Sequence, residues 1–130
     1  MIELGRFGED LARFYQMMLN NGKVGDKVLL KPDTVAQLIG NQIGALDPGS
    51  GLSWGYGFCL VADPKGLESN AMLAAGTFGH VGLFGTNVWA DPKRGVVYVL
   101  LLERGDIENY LDSPMRTQFQ SLAARAISRP

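Results

Sequence analysis

The stretch from Asn87 to Leu102 constrains this chain more than any other. Two runs of strand-forming residues, Asn87–Ala90 and Val96–Leu102, flank Asp91-Pro92-Lys93-Arg94-Gly95. A proline early and a glycine late in so short a connection are what a tight turn needs, so the two runs are expected to pair as an antiparallel hairpin. A second strand is expected from Trp54 to Val61. There Trp54, Tyr56, Phe58 and Leu60 alternate with Gly55, Gly57 and Cys59, the period of a pleated strand.

Helices are expected at both ends. From Gly8 to Asn21 the apolar positions Leu11, Phe14, Tyr15 and Met18 recur at helical spacing, Glu9 and Asp10 sit where an N-terminal dipole favours them, and Gly22 closes the element. Pro32 suits a first helical position, and Val35, Leu38 and Ile39 share a face before Gly40, which predicts a short helix over Pro32–Leu38. Asn41 to Gly51 reads as loop, and Met1 to Phe7 has no assigned conformation. A last helix starts at Ser113-Pro114 and carries Met115, Phe119, Leu122, Ala123 and Ala126 on one stripe. The expected architecture is α+β, an antiparallel sheet with the N- and C-terminal helices packed on one face.

The 130 residues suit one domain, and 46% hydrophobic residues are enough to fill its core. Twelve basic against thirteen acidic side chains, a net charge of -1, favour neither nucleic acid nor an anionic membrane as partner. The longest apolar run, Val96–Leu102, is far short of the roughly 20 residues that cross a bilayer, and Met1 opens no signal-peptide pattern. As written the chain is expected to be soluble and cytoplasmic. Cys59 is the only cysteine and His80 the only histidine, so neither an internal disulfide nor a structural zinc site is expected, and no cofactor is implied.

Three features invite a chemical reading. Gly51-Leu52-Ser53-Trp54-Gly55 fits the G-x-S-x-G spacing of a nucleophile elbow. That motif requires a strand turning sharply into a helix, and the residues that follow are strand-like, so a loop entering a strand is the better reading. Gly76, Gly79, Gly82 and Gly85 recur every third residue and thin one strip of backbone, permitting close approach of a ligand or of another strand. No P-loop lysine follows them. His80 lies within this strip, and histidine is the side chain whose charge changes near neutrality; a hydrogen-bonded structural role and a functional one both fit it.

The order of these elements resembles one family. Thr77-Phe78-Gly79-His80-Val81-Gly82-Leu83-Phe84-Gly85, then a strand, Asp91-Pro92-Lys93-Arg94-Gly95 and Val96-Val97-Tyr98-Val99-Leu100, looks like the third-motif region of β-lactamase-related serine hydrolases. These include class C β-lactamases, D-alanyl-D-alanine carboxypeptidases and esterases of that fold. The likeness runs back through Gly51–Phe58 and Leu30-Lys31-Pro32-Asp33-Thr34-Val35 to Asp10-Leu11-Ala12-Arg13-Phe14, covering residues 10 to 103. The resemblance implies a partial β-lactamase-like domain. Its third motif, Lys-Thr-Gly or His-x-Gly on a strand edging the active site, falls on His80, Val81 and Gly82, and the backbone N–H of Leu83 matches an oxyanion-hole donor. His80 would assist by hydrogen bonding or by positive charge. Val81 departs from the small or hydroxyl residue usual there.

The family acylates a serine in Ser-x-x-Lys, supported by Tyr-x-Asn or Tyr-x-Ser, and no serine or tyrosine of these 130 residues has the required partner. With no nucleophile assigned, the chain is expected to be a truncated or split hydrolase segment, inactive alone. The alternative is a non-catalytic binding or oligomerisation module derived from that fold. In the family the strand matching Val96–Leu102 has a further neighbour from the N-terminal part. Its absence here predicts an unpaired edge, through which the chain forms a homo-oligomer or receives an N-terminal hydrolase fragment.

Overall fold

The computed structural model describes residues 4–46, 49–67, 73–105 and 113–127, with side chains from residue 7 onward. Helix α1 (Leu4–Leu19) leads into a two-stranded ribbon, β1 (Lys23–Val24) and β2 (Lys27–Val28), then α2 (Pro32–Leu38). Strands β3 (Leu52–Trp54), β4 (Cys59–Val61), β5 (Phe78–Val81), β6 (Asn87–Asp91) and β7 (Val96–Leu100) form one sheet, and α3 (Pro114–Ile127) follows. Strand order equals chain order and every pairing is antiparallel, so the sheet is a meander with β3 and β7 at its edges.

Turn chemistry explains several boundaries. Asn21 takes the left-handed conformation, φ 53°, at the end of α1; its N–H donates to Met18 O (3.1 Å) and the Gly22 N–H to Met17 O (2.9 Å). This paired capping satisfies carbonyls that a helix end leaves open. The cap therefore begins at Asn21, one residue ahead of the expected Gly22. At the other end α1 begins at Leu4, so Glu9 and Asp10 lie past the first turn and are not dipole partners. Instead they face Arg13 at 3.9 and 3.6 Å in exposed pairs worth little. Met1 to Glu3 lie outside the described residues. Helix α2 has the expected bounds.

The β6–β7 hairpin forms as expected, in the register Asn87↔Leu100 to Asp91↔Val96. Its turn depends on Asp91 as well as on Pro92 and Gly95. The buried Asp91 carboxylate accepts from the N–H groups of Lys93 (2.9 Å) and Arg94 (3.1 Å) and from the Arg94 guanidinium. The expected single strand over Trp54–Val61 is two strands joined by a turn. Gly57 is left-handed, φ 81°, and the Gly55 N–H donates to Phe58 O at 2.9 Å, which reverses the chain. The β1–β2 ribbon was not anticipated.

Both faces of the sheet are covered. Val88 and Ala90 of β6 pack with Leu60, Phe78 and the α1 residues Tyr15, Met17 and Met18. Trp89 and Tyr98 pack on the other side with Cys59, Val61 and, from α3, Phe119 and Ala123. Side chains alternate along a strand, so α1 and α3 lie on opposite faces. This corrects the expectation that both terminal helices share one face; the α+β class and the antiparallel sheet hold. The stripe on α3 is also rotated. Arg116, Gln120 and Ala124 are its buried residues, whereas Met115 and Leu122 are exposed, because the helix meets a polar turn as well as the sheet.

Beyond β7 the two helices leave an apolar groove of about 650 Å³ between Gly8, Glu9 and Ala12 of α1 and Phe119, Ala123 and Ile127 of α3. Among the described residues no helix is long and apolar enough to cross a membrane.

Cys59 gives a direct test of the second core cluster. It is buried, and desolvation pushes its thiol up to about 11, against a weaker lowering by the backbone of Leu60. Native protein at mildly alkaline pH should react with a thiol reagent far more slowly than unfolded protein. Since the folded pKa is the raised one, the unfolded thiol ionises first as pH rises. The contribution of Cys59 to stability is therefore complete below the ordinary thiol range and lost as pH climbs through it toward about 11. Equal thiol reactivity in native and unfolded protein would contradict this packing.

Candidate active site

Strand β5 carries the residues matched to the third motif, and its surroundings decide which of them face outward. Phe78 is fully buried between Leu60 and Ala90, its cross-strand partners, and forms ring contacts with Tyr15 (6.0 Å) and Phe58 (5.6 Å). Gly79 must be glycine, because a Cβ there would stand 2.0 Å from Val88 O and 2.8 Å from the Trp89 ring. At Gly82 a Cβ would stand 1.9 Å from the Thr86 hydroxyl. Of the two readings open for the glycine strip, close packing within the protein accounts for both positions.

His80 is exposed at the open end of β5. Its Nδ1 lies 2.7 Å from Val81 O. A carbonyl oxygen only accepts, so Nδ1 carries the hydrogen in this contact and Nε2 is left to face a ligand. The indole of Trp54, at the end of β3, lies 5.4 Å from the imidazole between ring centres and tilted by 56°. Val81 turns the other way and packs half-buried against the Trp89–Tyr98 cluster, so its side chain belongs to the core.

After Val81 the chain turns through residues 82–86 into β6. The Gly82 N–H donates to Thr86 O (2.8 Å) and the Gly85 N–H to Gly82 O (3.1 Å). The Arg104 N–H donates to Phe84 O (2.9 Å), and the buried guanidinium of Arg116 donates to the carbonyls of Gly82, Gly85 and Thr86. The carbonyls of Gly82, Phe84, Gly85 and Thr86 are thus all engaged. Among the described residues no hydrogen bond is made by the Leu83 N–H, and Leu83 itself is 66% exposed. The result is a tied-down turn with an unpaired amide donor three residues after an exposed imidazole.

Three side chains with a nucleophilic atom, Ser53, Cys59 and Thr77, are buried away from solvent. Ser53, of the G-x-S-x-G pattern, is buried within β3, with no helix following, as a loop entering a strand requires. Cys59 and Thr77 are buried in the sheet. No group of three or more metal-ligating side chains occurs among the described residues. Residue-by-residue reading missed Trp54 and Arg116 as neighbours of this turn. For Arg116 a signal existed, since Arg116, Gln120 and Ala124 share one face of α3 at a spacing of four.

The family model described as Beta-lactamase matches residues 7–116, well over half of the chain and past both ends of the motif resemblance, and the chain belongs to the β-lactamase family. No curated protein matches the chain significantly.

Substitutions at two adjacent residues should behave oppositely. Gly79→Ala forces a methyl into the β6 backbone and should cost about 1–3 kcal/mol, while His80→Ala, at an exposed position, should stay within about 0.5 kcal/mol. Urea unfolding midpoints measure both, and a Gly79→Ala protein as stable as the parent would contradict the strand spacing.

Proposed function

We propose that the chain is the C-terminal, third-motif part of a serine hydrolase of the class C β-lactamase, D-alanyl-D-alanine carboxypeptidase and esterase group, and that it is inactive by itself. The observation that carries this reading is an exposed Leu83 whose N–H has no partner among the described residues, in a turn where the Gly82, Phe84, Gly85 and Thr86 carbonyls are engaged, close to an exposed His80. A backbone donor held in place meets developing negative charge without reorganising, and one such donor is worth about 3 kcal/mol in the transition state. His80 adds a hydrogen bond through Nε2. Gly82 makes the tight turn between them possible, and Val81 supports it from within the core.

These groups stabilise charge but form no covalent bond. In the proposed reaction a serine oxygen from a Ser-x-x-Lys segment attacks the carbonyl carbon of an ester or amide. Its proton goes to the lysine, and the carbonyl oxygen, now negative, accepts from Leu83. The 130 residues contain no Ser-x-x-Lys, so that segment has to be supplied to this part.

A second reading is supported by the groove beside β7. An edge strand presents backbone donors and acceptors, and here aliphatic and aromatic side chains of α1 and α3 wall it on either side. That shape suits an added β-strand. In a split hydrolase the strand would come from the N-terminal fragment, and in a non-catalytic module from a second copy of this chain.

Purified protein should neither hydrolyse a chromogenic short-chain ester or β-lactam nor gain mass as an acyl adduct. Turnover that is lost in His80→Ala would mean that a nucleophile exists within these residues, and the proposal would fall. By light scattering at high micromolar concentration the chain should self-associate; a strict monomer would count against strand addition by a second copy.

A further inference from the structure

We infer that Arg116 is a positioning residue for the 82–86 turn, orienting the Gly82–Leu83 peptide so that the Leu83 N–H is held outward. The inference rests on the reading of Leu83 as an oxyanion donor, and it supplies what that reading lacks, a reason for the donor's direction.

Arg116 is 2% exposed in the first half of α3, some 30 residues along the chain from the turn it serves. Its Nε donates to Gly85 O at 3.1 Å, and its Nη2 is shared between Gly82 O and Thr86 O, the latter at 3.2 Å. Removing a guanidinium from water is costly, and three carbonyl partners on one side of its fork offset that cost. Gly82 O and the Leu83 N–H belong to one peptide unit. That unit is planar and trans, as are all the described peptide bonds, so its C=O and N–H point in opposite directions. A cation that draws Gly82 O toward α3 therefore turns the Leu83 N–H away from α3. The same charge at the oxygen polarises the amide and makes its N–H a stronger donor.

Little else in the turn would hold this orientation. Gly82 and Gly85 have glycine's conformational freedom, with Gly85 at φ 107°, and the Gly85 N–H is the other donor to Gly82 O. The Phe84 carbonyl is tied separately by the Arg104 N–H. Lysine could not replace Arg116, because one ammonium on a flexible stem cannot meet Gly82, Gly85 and Thr86 with the geometry of a planar fork.

The test uses the full 130-residue chain and its Arg116→Lys and Arg116→Met variants, with amide exchange and nitrogen-15 spectra as readouts. In both variants the Gly82 and Gly85 amides should exchange at least about tenfold faster, while β6–β7 amides keep their protection and show that the fold persists. Methylphosphonate, a small oxyanion, should shift the Leu83 amide resonance of the parent and do so at least about tenfold more weakly in the variants. Unchanged protection at Gly82 and Gly85 together with an unchanged Leu83 response would overturn the inference. The parent alone gives a second measure, because the Arg116 Nε–H should exchange slowly and show coupling to the Gly85 carbonyl. Rapid exchange there would also overturn it. Should methylphosphonate leave Leu83 of the parent unmoved, the oxyanion reading fails, and the exchange data still judge Arg116 separately.

Discussion

A sheet packed on both faces buries nearly everything its central strand carries, and most of this structure follows from that constraint. All five residues of β6 are buried, with Val88 and Ala90 toward α1 and Asn87, Trp89 and Asp91 toward the other face. A strand in this position does not show the apolar-in, polar-out alternation of a half-exposed sheet. Close packing in two directions also fixes the glycine at 79, where the neighbouring strand's carbonyl occupies the space of a side chain. Backbone polar groups become accessible where the covered faces end: the 82–86 turn, with its exposed Leu83 and Phe84, lies at one such place, and the edge of β7 is another.

That placement separates a rigid support from an accessible surface. His80, Leu83 and Trp54 are exposed, yet each is attached within a few residues to a buried anchor: Phe78, the Arg116-held carbonyls and Ser53. Groups that must present a dipole in a fixed direction gain from such attachment, since orientation that is set during folding need not be acquired on binding. The groove beside β7 is a different kind of surface. It is mostly apolar, walled by two helices and lined by a strand edge.

Legibility followed the range of the interactions involved. The β6–β7 hairpin, α2 and the start of α3 at Pro114 were readable because their signals are local: turn residues, a proline at a first helical position, a serine beside it. The run from Trp54 to Val61 misled because a period of two is kept through a tight turn; only the left-handed Gly57 marks the reversal into β3 and β4. On α3 hydrophobicity points to the stripe Met115–Phe119–Leu122, whereas the buried residues are Arg116, Gln120 and Ala124, because polar partners in the 82–86 turn bury that face. His80 to Leu83 stand out in the sequence only by resemblance to a family motif, whereas Trp54 and Arg116 beside them carry no such mark.

The sequence by itself determined the strand-rich middle, the α+β class and the family, because these depend on periodicity, glycine placement and residue order. Tertiary structure alone decided that α1 and α3 take opposite faces, that Val81 turns inward while His80 stays out, and that a buried arginine holds the turn. The reason is physical. A side chain's burial is set by what packs against it, and for Arg116 the partners are carbonyls some 30 residues away, which carry no side-chain identity that a sequence could display.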